Sequence, residues 1–284
     1  RGHPASHKGD RTLIGSGVFG IGGVSFALAV LMICAPSRVS AQEVPELVTD
    51  RPDQTESSSV VGPGYVQLEG GWTYSENDDG VDVRTNAFPE VLLRIGLVER
   101  LELRLGFSGY VWEDVDTGDD NEGLGDTEVG TKLSLWKEGR YLPEAALLTH
   151  LSLPTGESGF SSERADPSFA FLFSHTLTDR LSFGYNLGAV WGTEEDDSGD
   201  RHTLSVFRYT ATIGVGLTEQ LSGFVEVFGD VPLNASGGPA NMFDGGFTYL
   251  IFDNFQIDVA SGVGLSQEAD DWFITAGATY RFPN

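Results

Sequence analysis

The sequence predicts an all-β protein, an antiparallel transmembrane β-barrel of about twelve strands. Three observations support this fold class. Segments of about ten residues alternate apolar and polar side chains, their connections are alternately very short and long, and the long connections are mostly acidic. The run LELRLGF at 101–107 shows the alternation. An alternating strand has one apolar face, which a second sheet would cover in a soluble sandwich and lipid would cover in a membrane barrel.

Residues 1–41 have the layout of a cleaved secretory signal peptide. A basic start at 1–11 precedes an apolar stretch at 13–35, and the small residues of 39–41 form a cleavage pattern. The alternative is an uncleaved membrane anchor, because the apolar stretch is long enough to span a bilayer. The single cysteine of the sequence, Cys34, lies in this segment, so we expect the exported chain to contain no disulfide and no cysteine metal site.

The chain is strongly acidic. The net charge is −25, and residues 1–41 contribute +3, so the net charge of the remainder is −28. Such a charge argues against nucleic acid as a partner. After residue 41 no apolar run approaches the length of a membrane helix, so an integral membrane role requires a closed barrel.

The chain divides into residues 42–63, an irregular polar segment expected in the periplasm, and residues 64–284, the barrel. The alternation predicts strands near 64–74, 83–96, 100–113, 125–136, 142–153, 167–177, 180–192, 202–217, 220–231, 242–252, 255–265 and 271–282. Short connections such as 98–100, 178–180 and 218–220 resemble one another and fit a period near forty residues. A WD-type propeller has a similar period, but its signatures are absent.

The long, mostly acidic connections are 75–82, 113–125, 154–166, 193–201 and 232–240. Tight turns at one end and long loops at the other are typical of outer-membrane barrels, whose short turns are periplasmic and whose long loops are extracellular. Strand parity then predicts a lipid face with interfacial aromatic residues Trp72, Tyr74, Trp191, Tyr249, Trp272, Tyr280 and Phe282. A soluble core would bury the same residues.

The opposite parity predicts a lumen that carries both signs of charge. The expected lumen-lining or selectivity residues are Glu69, Arg84, Glu90, Arg94, Glu102, Arg104, Glu128, Lys132 and Arg208. Buried charges must pair, coordinate an ion or contact water. Two interpretations stay open and can overlap: a salt-bridge network that fills a narrow barrel, and a charged path for a solute.

Three stretches carry a family resemblance: TDRPDQTES at 49–57, GYVQLEGG at 64–71 and LPTG at 153–156. Together they resemble the bacterial outer-membrane family usually described as the transporter family of the meta-pathway of phenol degradation. The resemblance covers essentially the whole chain after residue 41. It implies a barrel of about twelve strands, distantly similar to outer-membrane channels for hydrophobic compounds. The aromatic Phe282 near the C-terminus is similar to the signal that barrel-assembly machinery reads, although two residues follow it.

Residues 50–56 contain charges and a proline but no strand pattern. By analogy with related channels, this stretch is expected to fold into the periplasmic mouth as a plug, and a disordered or docked tail is the alternative. The candidate plug residues are Asp50, Arg51, Asp53 and Glu56. Arg51 is expected to pair with a lumen carboxylate such as Glu69 or Glu90.

The residues show little catalytic chemistry. His150 and Ser152 have the spacing of the His-x-Ser of outer-membrane phospholipases, but parity points both into the lumen, away from lipid. We therefore predict no enzyme, no catalytic residue, no cofactor and no metal site. The acidic loop 113–125 could bind Ca²⁺, and the alternative is a solvated loop that shares divalent cations with lipopolysaccharide. Its candidate ligands are Asp116, Asp119, Asp120 and Glu122.

The sequence thus predicts a channel in the outer membrane of a Gram-negative bacterium, with passive passage of small molecules, which the family resemblance implies are hydrophobic or aromatic. The expected partners are outer-membrane lipid and lipopolysaccharide, the barrel-assembly machinery and the small-molecule solute. Two other classes stay open: a closed structural or adhesion barrel without transport, and an outer-membrane lipid hydrolase.

Overall fold

The computed structural model describes residues 45–283 except 79, 117, 119 and 196–200. The predicted signal peptide, residues 1–41, lies outside the described residues. The described strands are β1 (Val66–Asn77), β2 (Val83–Val98), β3 (Leu101–Phe107), β4 (Tyr110–Val115), β5 (Asn121–Leu124), β6 (Thr127–Trp136), β7 (Glu144–Leu153), β8 (Asp166–Thr178), β9 (Leu181–Glu195), β10 (Arg201–Gly216), β11 (Leu221–Pro232), β12 (Ala240–Phe252), β13 (Phe255–Gly264) and β14 (Trp272–Phe282).

The strands close into a barrel. Strand β1 pairs antiparallel with both β2 and β14, which leaves the sheet without a free edge along its main wall. Strands β3 and β4 lie end to end along β2 and occupy one position in the wall. Strands β5 and β6 likewise lie end to end in the next position, so the fourteen described strands form a closed wall of twelve positions. The predicted antiparallel barrel of about twelve strands is therefore confirmed. No helix of the described part of the chain is long and apolar enough to cross a membrane.

Strand β2 contains an irregularity that changes which side chains face inward. Gly71 of β1 lies opposite Glu90, but Thr73 lies opposite Ala87, so β2 has one extra residue between these pairs. Such a bulge reverses the inward and outward parity on one side of it. Next to it, β3 and β4 are separated at Gly109, whose φ of 83° and close approach to the Pro89 carbonyl suit a residue without a side chain.

The two faces of the wall are opposite in character to those of a soluble protein. Large apolar side chains such as Phe171, Val225 and Phe247 are exposed on the outside. Charged side chains such as Arg94 and Lys132 are buried inside. Lipid is the solvent that stabilises such an outer surface.

The two ends of the barrel also differ. Two-residue links at 99–100, 179–180 and 253–254 close one end, and the other end carries longer connections such as 154–165 and 233–239. In outer-membrane barrels the short-turn end is periplasmic. Strand β1 starts at this end, so the segment that precedes it enters the barrel from the periplasmic side.

Candidate functional site

Residues 45–65, here named the plug segment, fold into the lumen. Leu47, Asp50, Thr55, Ser58 and Val61 of this segment are all buried. Its start is held at the periplasmic end, where Arg281 donates to the carbonyls of residues 45 and 46, and its end is held by hydrogen bonds between residues 64–65 and 96. The segment therefore rises into the barrel and returns, with its turn at residues 52–56.

The strongest contacts of the plug segment converge on Asp50. Its carboxylate accepts hydrogen bonds from Arg104 Nη1 at 2.6 Å and Lys132 Nζ at 2.7 Å, and it lies 3.0 Å from Arg94 Nη1. The three cationic side chains are at most 2% exposed. Burial by itself raises the pKa of Asp50, but the attraction of the three cations outweighs it and holds this pKa well below its usual range.

The barrel wall supplies matching carboxylates around these cations. Arg94 pairs with Glu69 at 2.9 Å and with Glu102 at 3.0 Å, and Arg104 pairs with Glu102 at 3.0 Å. Glu56 of the plug segment accepts two hydrogen bonds from Arg104 Nη2, at 2.8 and 2.9 Å. Within the wall, Arg94 Nε and Nη2 each donate to one oxygen of Glu102 at 3.0 Å, and such a bidentate arginine–carboxylate pair adds directional specificity to the charge interaction. Segment and wall are therefore joined by one ionic cluster.

Arg51 extends the plug segment toward β13 and β14. Its Nη2 donates to Thr275 Oγ1 at 2.8 Å and pairs with Asp258 at 3.3 Å, and its Nη1 lies 3.6 Å from Glu90. The pairing expected with Glu90 is present. Glu69 contacts Arg51 differently, by accepting its backbone N–H at 3.1 Å.

Two glycines make room for this arginine. A Cβ added at Gly71 or at Gly277 would meet the guanidinium of Arg51. Both glycines lie at lumen positions of neighbouring strands and are opposite each other in the β1–β14 register. The sequence analysis did not identify these two glycines. The sequence feature that could have indicated them is a glycine at a strand position whose parity points to the lumen.

The turn of the plug segment contacts the opposite wall. The N–H of Gln54 donates to Glu226 Oε2 at 2.7 Å, and the hydroxyl of Thr55 donates to Glu226 and lies in hydrogen-bond contact with the Thr210 hydroxyl at 2.7 Å. Ser58 donates to Ser174 at 2.9 Å. These contacts use hydroxyl and backbone groups rather than cations.

Two further features mark this side of the lumen. Asn186, with its amide oriented to satisfy both groups, bonds the backbone N–H of Glu56 at 2.7 Å and its carbonyl at 3.2 Å. Asp244 lies directly opposite Glu226, and neither of its buried carboxylate oxygens accepts a hydrogen bond from a described residue. Burial raises the pKa of Asp53 well above its usual range, and the charges of Glu226 and Asp244 raise it further. Burial also raises the pKa of Glu56, to about 7.

The other expected lumen residues divide into two groups. Glu128 and Arg208 lie higher in the lumen, where Glu128 pairs with His150, and Arg208 holds Asp230 through contacts of 2.8 and 2.6 Å. Arg84 is not in the lumen, which corrects the parity assignment. It is partly exposed at the long-loop end and pairs with Asp116 at 3.2 Å, because the bulge in β2 turns its side chain outward.

The remaining candidate chemistry is not assembled as a reactive site. His150 accepts from Arg104 Nε at 3.2 Å inside the lumen, so it does not face lipid. In loop 113–125, Asp116 pairs with Arg84 and Asp120 accepts the N–H of Val115 at 3.4 Å, whereas Asp119 lies outside the described residues. Within the described ranges, no group of three His, Cys, Asp or Glu side chains could hold a metal ion.

Two cavities lie on either side of the plug segment. The cavity toward the long loops has a volume of about 230 Å³, and its lining combines apolar residues such as Phe228, Met242 and Phe273 with Arg208 and Asp230. The cavity toward the short turns has a volume of about 510 Å³ and is lined largely by serine, threonine and glycine. The plug segment contributes to the lining of both, so it separates them.

Comparison with known proteins agrees with this architecture. The sequence pattern of the family described as "Putative MetA-pathway of phenol degradation" matches residues 49–282. A search of curated proteins gives no match.

Solved structures of outer-membrane barrels are similar in fold. An outer membrane channel from Pseudomonas putida F1 has a TM-score of 0.64 at 14% identity, over 79% of this chain and 98% of that chain. The translocator domain of the autotransporter NalP from Neisseria meningitidis has a TM-score of 0.51 at 10% identity, over 78% and 90%. The NanC porin has a TM-score of 0.50 at 12% identity, over 76% and 98%. At such identities the similarity establishes the fold.

Proposed function

Because the chain belongs to the family described as "Putative MetA-pathway of phenol degradation", we propose that it is an outer-membrane channel for passive passage of small, hydrophobic or aromatic molecules. The observation that carries the proposal is a closed barrel whose lumen contains two cavities separated by one short segment. The signal-peptide pattern of residues 1–41 supports export to this membrane.

Selection in this channel follows from width and from lining chemistry. The plug segment narrows the lumen at mid-height, where Asp50 and Glu56 bind the wall cations. Above it, the apolar side chains of Phe228, Met242 and Phe273 favour an apolar solute. The plug segment acts as the gate, since a solute that crosses from one cavity to the other must pass beside it.

The partners proposed for this channel follow from its surface. The exposed apolar outer face suits outer-membrane lipid, and the acidic connections at the long-loop end suit divalent cations shared with lipopolysaccharide. The last strand ends on the exposed aromatic residue Phe282, which supports recognition by the barrel-assembly machinery.

The test compares the full protein with a variant that lacks residues 42–61, each purified folded and inserted into planar bilayers in KCl. Discrete current steps in the full protein, reduced by an aromatic alcohol but not by glycerol, are the expected result. Steps in the shortened variant alone would identify the plug segment as a closed gate under these conditions. Silence of both folded proteins would refute the channel.

A closed structural barrel is the second candidate, and the ionic cluster at mid-lumen is the observation that favours it. Three buried cations and the carboxylates around them fill the barrel as a salt-bridge network. This candidate predicts silence of the full protein and strong loss of thermal stability when the plug segment is removed. The channel predicts instead that the shortened variant stays folded and conducts.

A further inference from the structure

The contacts of the plug segment are distributed unequally around the barrel. On one side, β2, β3 and β6 bind it through Arg94, Arg104 and Lys132, all of which pair with Asp50. On the same side of the barrel, β13 and β14 bind Arg51. We name this half, β13–β14–β1–β2–β3–β6, the charged wall.

The opposite half, β8 to β12, has a different lumen surface below the turn of the plug segment. Its side chains there are mainly small and hydroxylated: Ser174, Thr176, Ser182, Ser222 and Thr248 line the 510 Å³ cavity together with glycines of β10. We name this surface the hydroxyl wall. The open space of the periplasmic half thus adjoins the hydroxyl wall.

The same side also leads into the upper cavity. Asn186 lies four residues after Ser182 on β9, and Thr210 lies four residues before Gly214 on β10; both line the 230 Å³ cavity, as does Phe228 of β11. On β9, β10 and β11 the lining of the lower cavity therefore ends, and that of the upper cavity begins, at the height where the plug segment touches this wall. At that height the segment is held by the Ser58–Ser174 and Thr55–Thr210 contacts, by its contacts with Glu226, and by Asn186.

The chemistry of the two halves makes one of them easier to open. Water replaces hydroxyl–hydroxyl and amide contacts readily, and the contacts with Glu226 involve a single carboxylate and no cation, so the net cost of breaking this set is the smaller one. Separation of Asp50 from Arg94, Arg104 and Lys132 would instead take a shared partner away from three buried cations, which is strongly unfavourable. The movement of lowest cost therefore breaks the contacts of the plug segment with β8 to β11 and keeps its ionic contacts with the charged wall.

We infer that the solute passes between the plug segment and the hydroxyl wall, while Asp50 and Arg51 stay bound to the charged wall. This inference rests on the proposed channel function and specifies its gate. The gating residues are Ser58 and Thr55 on the segment, with Ser174 and Thr210 on the wall. The segment moves away from this wall at Thr55 and Ser58, keeps the pairing of Glu56 with Arg104, and need not leave the lumen.

A disulfide across the gate tests this directly. Residues 45–284 contain no cysteine, and the Ser58 and Ser174 hydroxyl oxygens are 2.9 Å apart, so S58C/S174C places two thiols within bonding reach. The control, T49C/Q256C, joins the segment to β13, where Gln256 donates to Thr49 at 2.9 Å. Each pair is joined by oxidation or by a short bifunctional thiol reagent, and KCl conductance is recorded before and after reduction.

We expect closure of the first bridge to lower the conductance at least tenfold, with recovery on reduction, and the second bridge to leave it within twofold. Equal conductance with the first bridge open and closed would overturn the inference, as would a block by the second bridge. If the full protein is silent, S58A/T55V must open it while T49A does not. Continued silence of S58A/T55V beside a conducting variant that lacks residues 42–61 would also overturn it.

Silence of both the full protein and the variant that lacks residues 42–61 refutes the channel itself. That failure is distinct from a failure of the gate, in which the shortened variant conducts but the bridge across the hydroxyl wall has no effect.

Discussion

Lys132 is the wall cation that depends most completely on the plug segment. Its Nζ donates to both carboxylate oxygens of Asp50, at 3.0 and 2.7 Å, and to the carbonyl of Ser57 at 2.8 Å, and it lies 3.3 Å from Glu56. All three partners belong to the segment. The substitution Lys132→Met keeps a similar shape and removes the charge, so its effect should fall on docking of the segment rather than on the barrel.

The size of the effect follows from the charges in the cluster. Four carboxylates, of Asp50, Glu56, Glu69 and Glu102, surround three cations, and the substitution leaves two cations. Removal of one partner from a buried ionic network typically costs about 3–5 kcal/mol. Two arginines still compensate Asp50, so we expect the lower limit, about 3 kcal/mol, which is a roughly 150-fold change in the docking equilibrium.

Amide hydrogen exchange measures this equilibrium. The N–H groups of Asp50, Gln54 and Val61 donate to wall carboxylates and are released only when the segment opens. A peptide covering residues 45–62 should exchange roughly 150 times faster in Lys132→Met, with strand peptides unchanged. The control is Lys137→Met, because Lys137 is 70% exposed and pairs with Glu144 at the surface. Exchange within threefold of the unsubstituted protein would refute the reasoning that the ionic cluster docks the segment.

Three further predictions concern the lumen. Asp244→Asn should raise the thermal stability of the barrel by about 1–3 kcal/mol, because it removes a buried carboxylate that accepts no hydrogen bond from a described residue and lies opposite the carboxylate of Glu226. Gly277→Ala should displace the guanidinium of Arg51 and speed exchange of the segment. Docking should weaken as pH rises from about 4 to 7, because burial raises the pKa of Asp53 and of Glu56, so the docked segment holds protons that the free segment loses.

Each of these predictions has its own control. Gly192→Ala should not change exchange, since a Cβ there meets no atom within 4 Å, and an equal effect at both glycines would contradict the packing argument. The pH dependence of docking is measured by amide hydrogen exchange of the plug segment, corrected for the intrinsic pH dependence of amide exchange. Asp53→Asn should reduce this pH dependence. A profile that stays as steep in Asp53→Asn would contradict the assignment of the titration to Asp53. The melting temperature of Asp244→Asn is measured by heat-shifted gel mobility, and an unchanged or lower value would contradict the cost assigned to the buried carboxylate of Asp244.

The bulge in β2 and its effect on Arg84 could not be predicted from the sequence. Parity counted from Glu90 and Arg94 assigns Arg84 to the same face, and in a regular strand that would be correct. One additional residue opposite β1 reverses the parity, so Arg84 reaches the loop carboxylates at the rim. The sequence of one strand does not give its register, because register is defined by the pairing with the partner strand.

The plug segment shows a second limit. Its charges were visible in the sequence, and the family resemblance implied a plug. The sequence did not show which wall residues pair with these charges, because Asp50 pairs with Arg104 and Lys132, which are more than fifty residues away in the chain. Only the closed barrel brings these side chains to one height.

The sequence by itself determined the alternation, the approximate number of strands and the difference between the two ends. These features depend on local periodicity and on loop length, which are properties of the chain. The tertiary structure decided the depth of the plug segment, its charged and hydroxyl sides, and the outward position of Arg84. These depend on closure and register, and closure brings together residues that no local pattern relates.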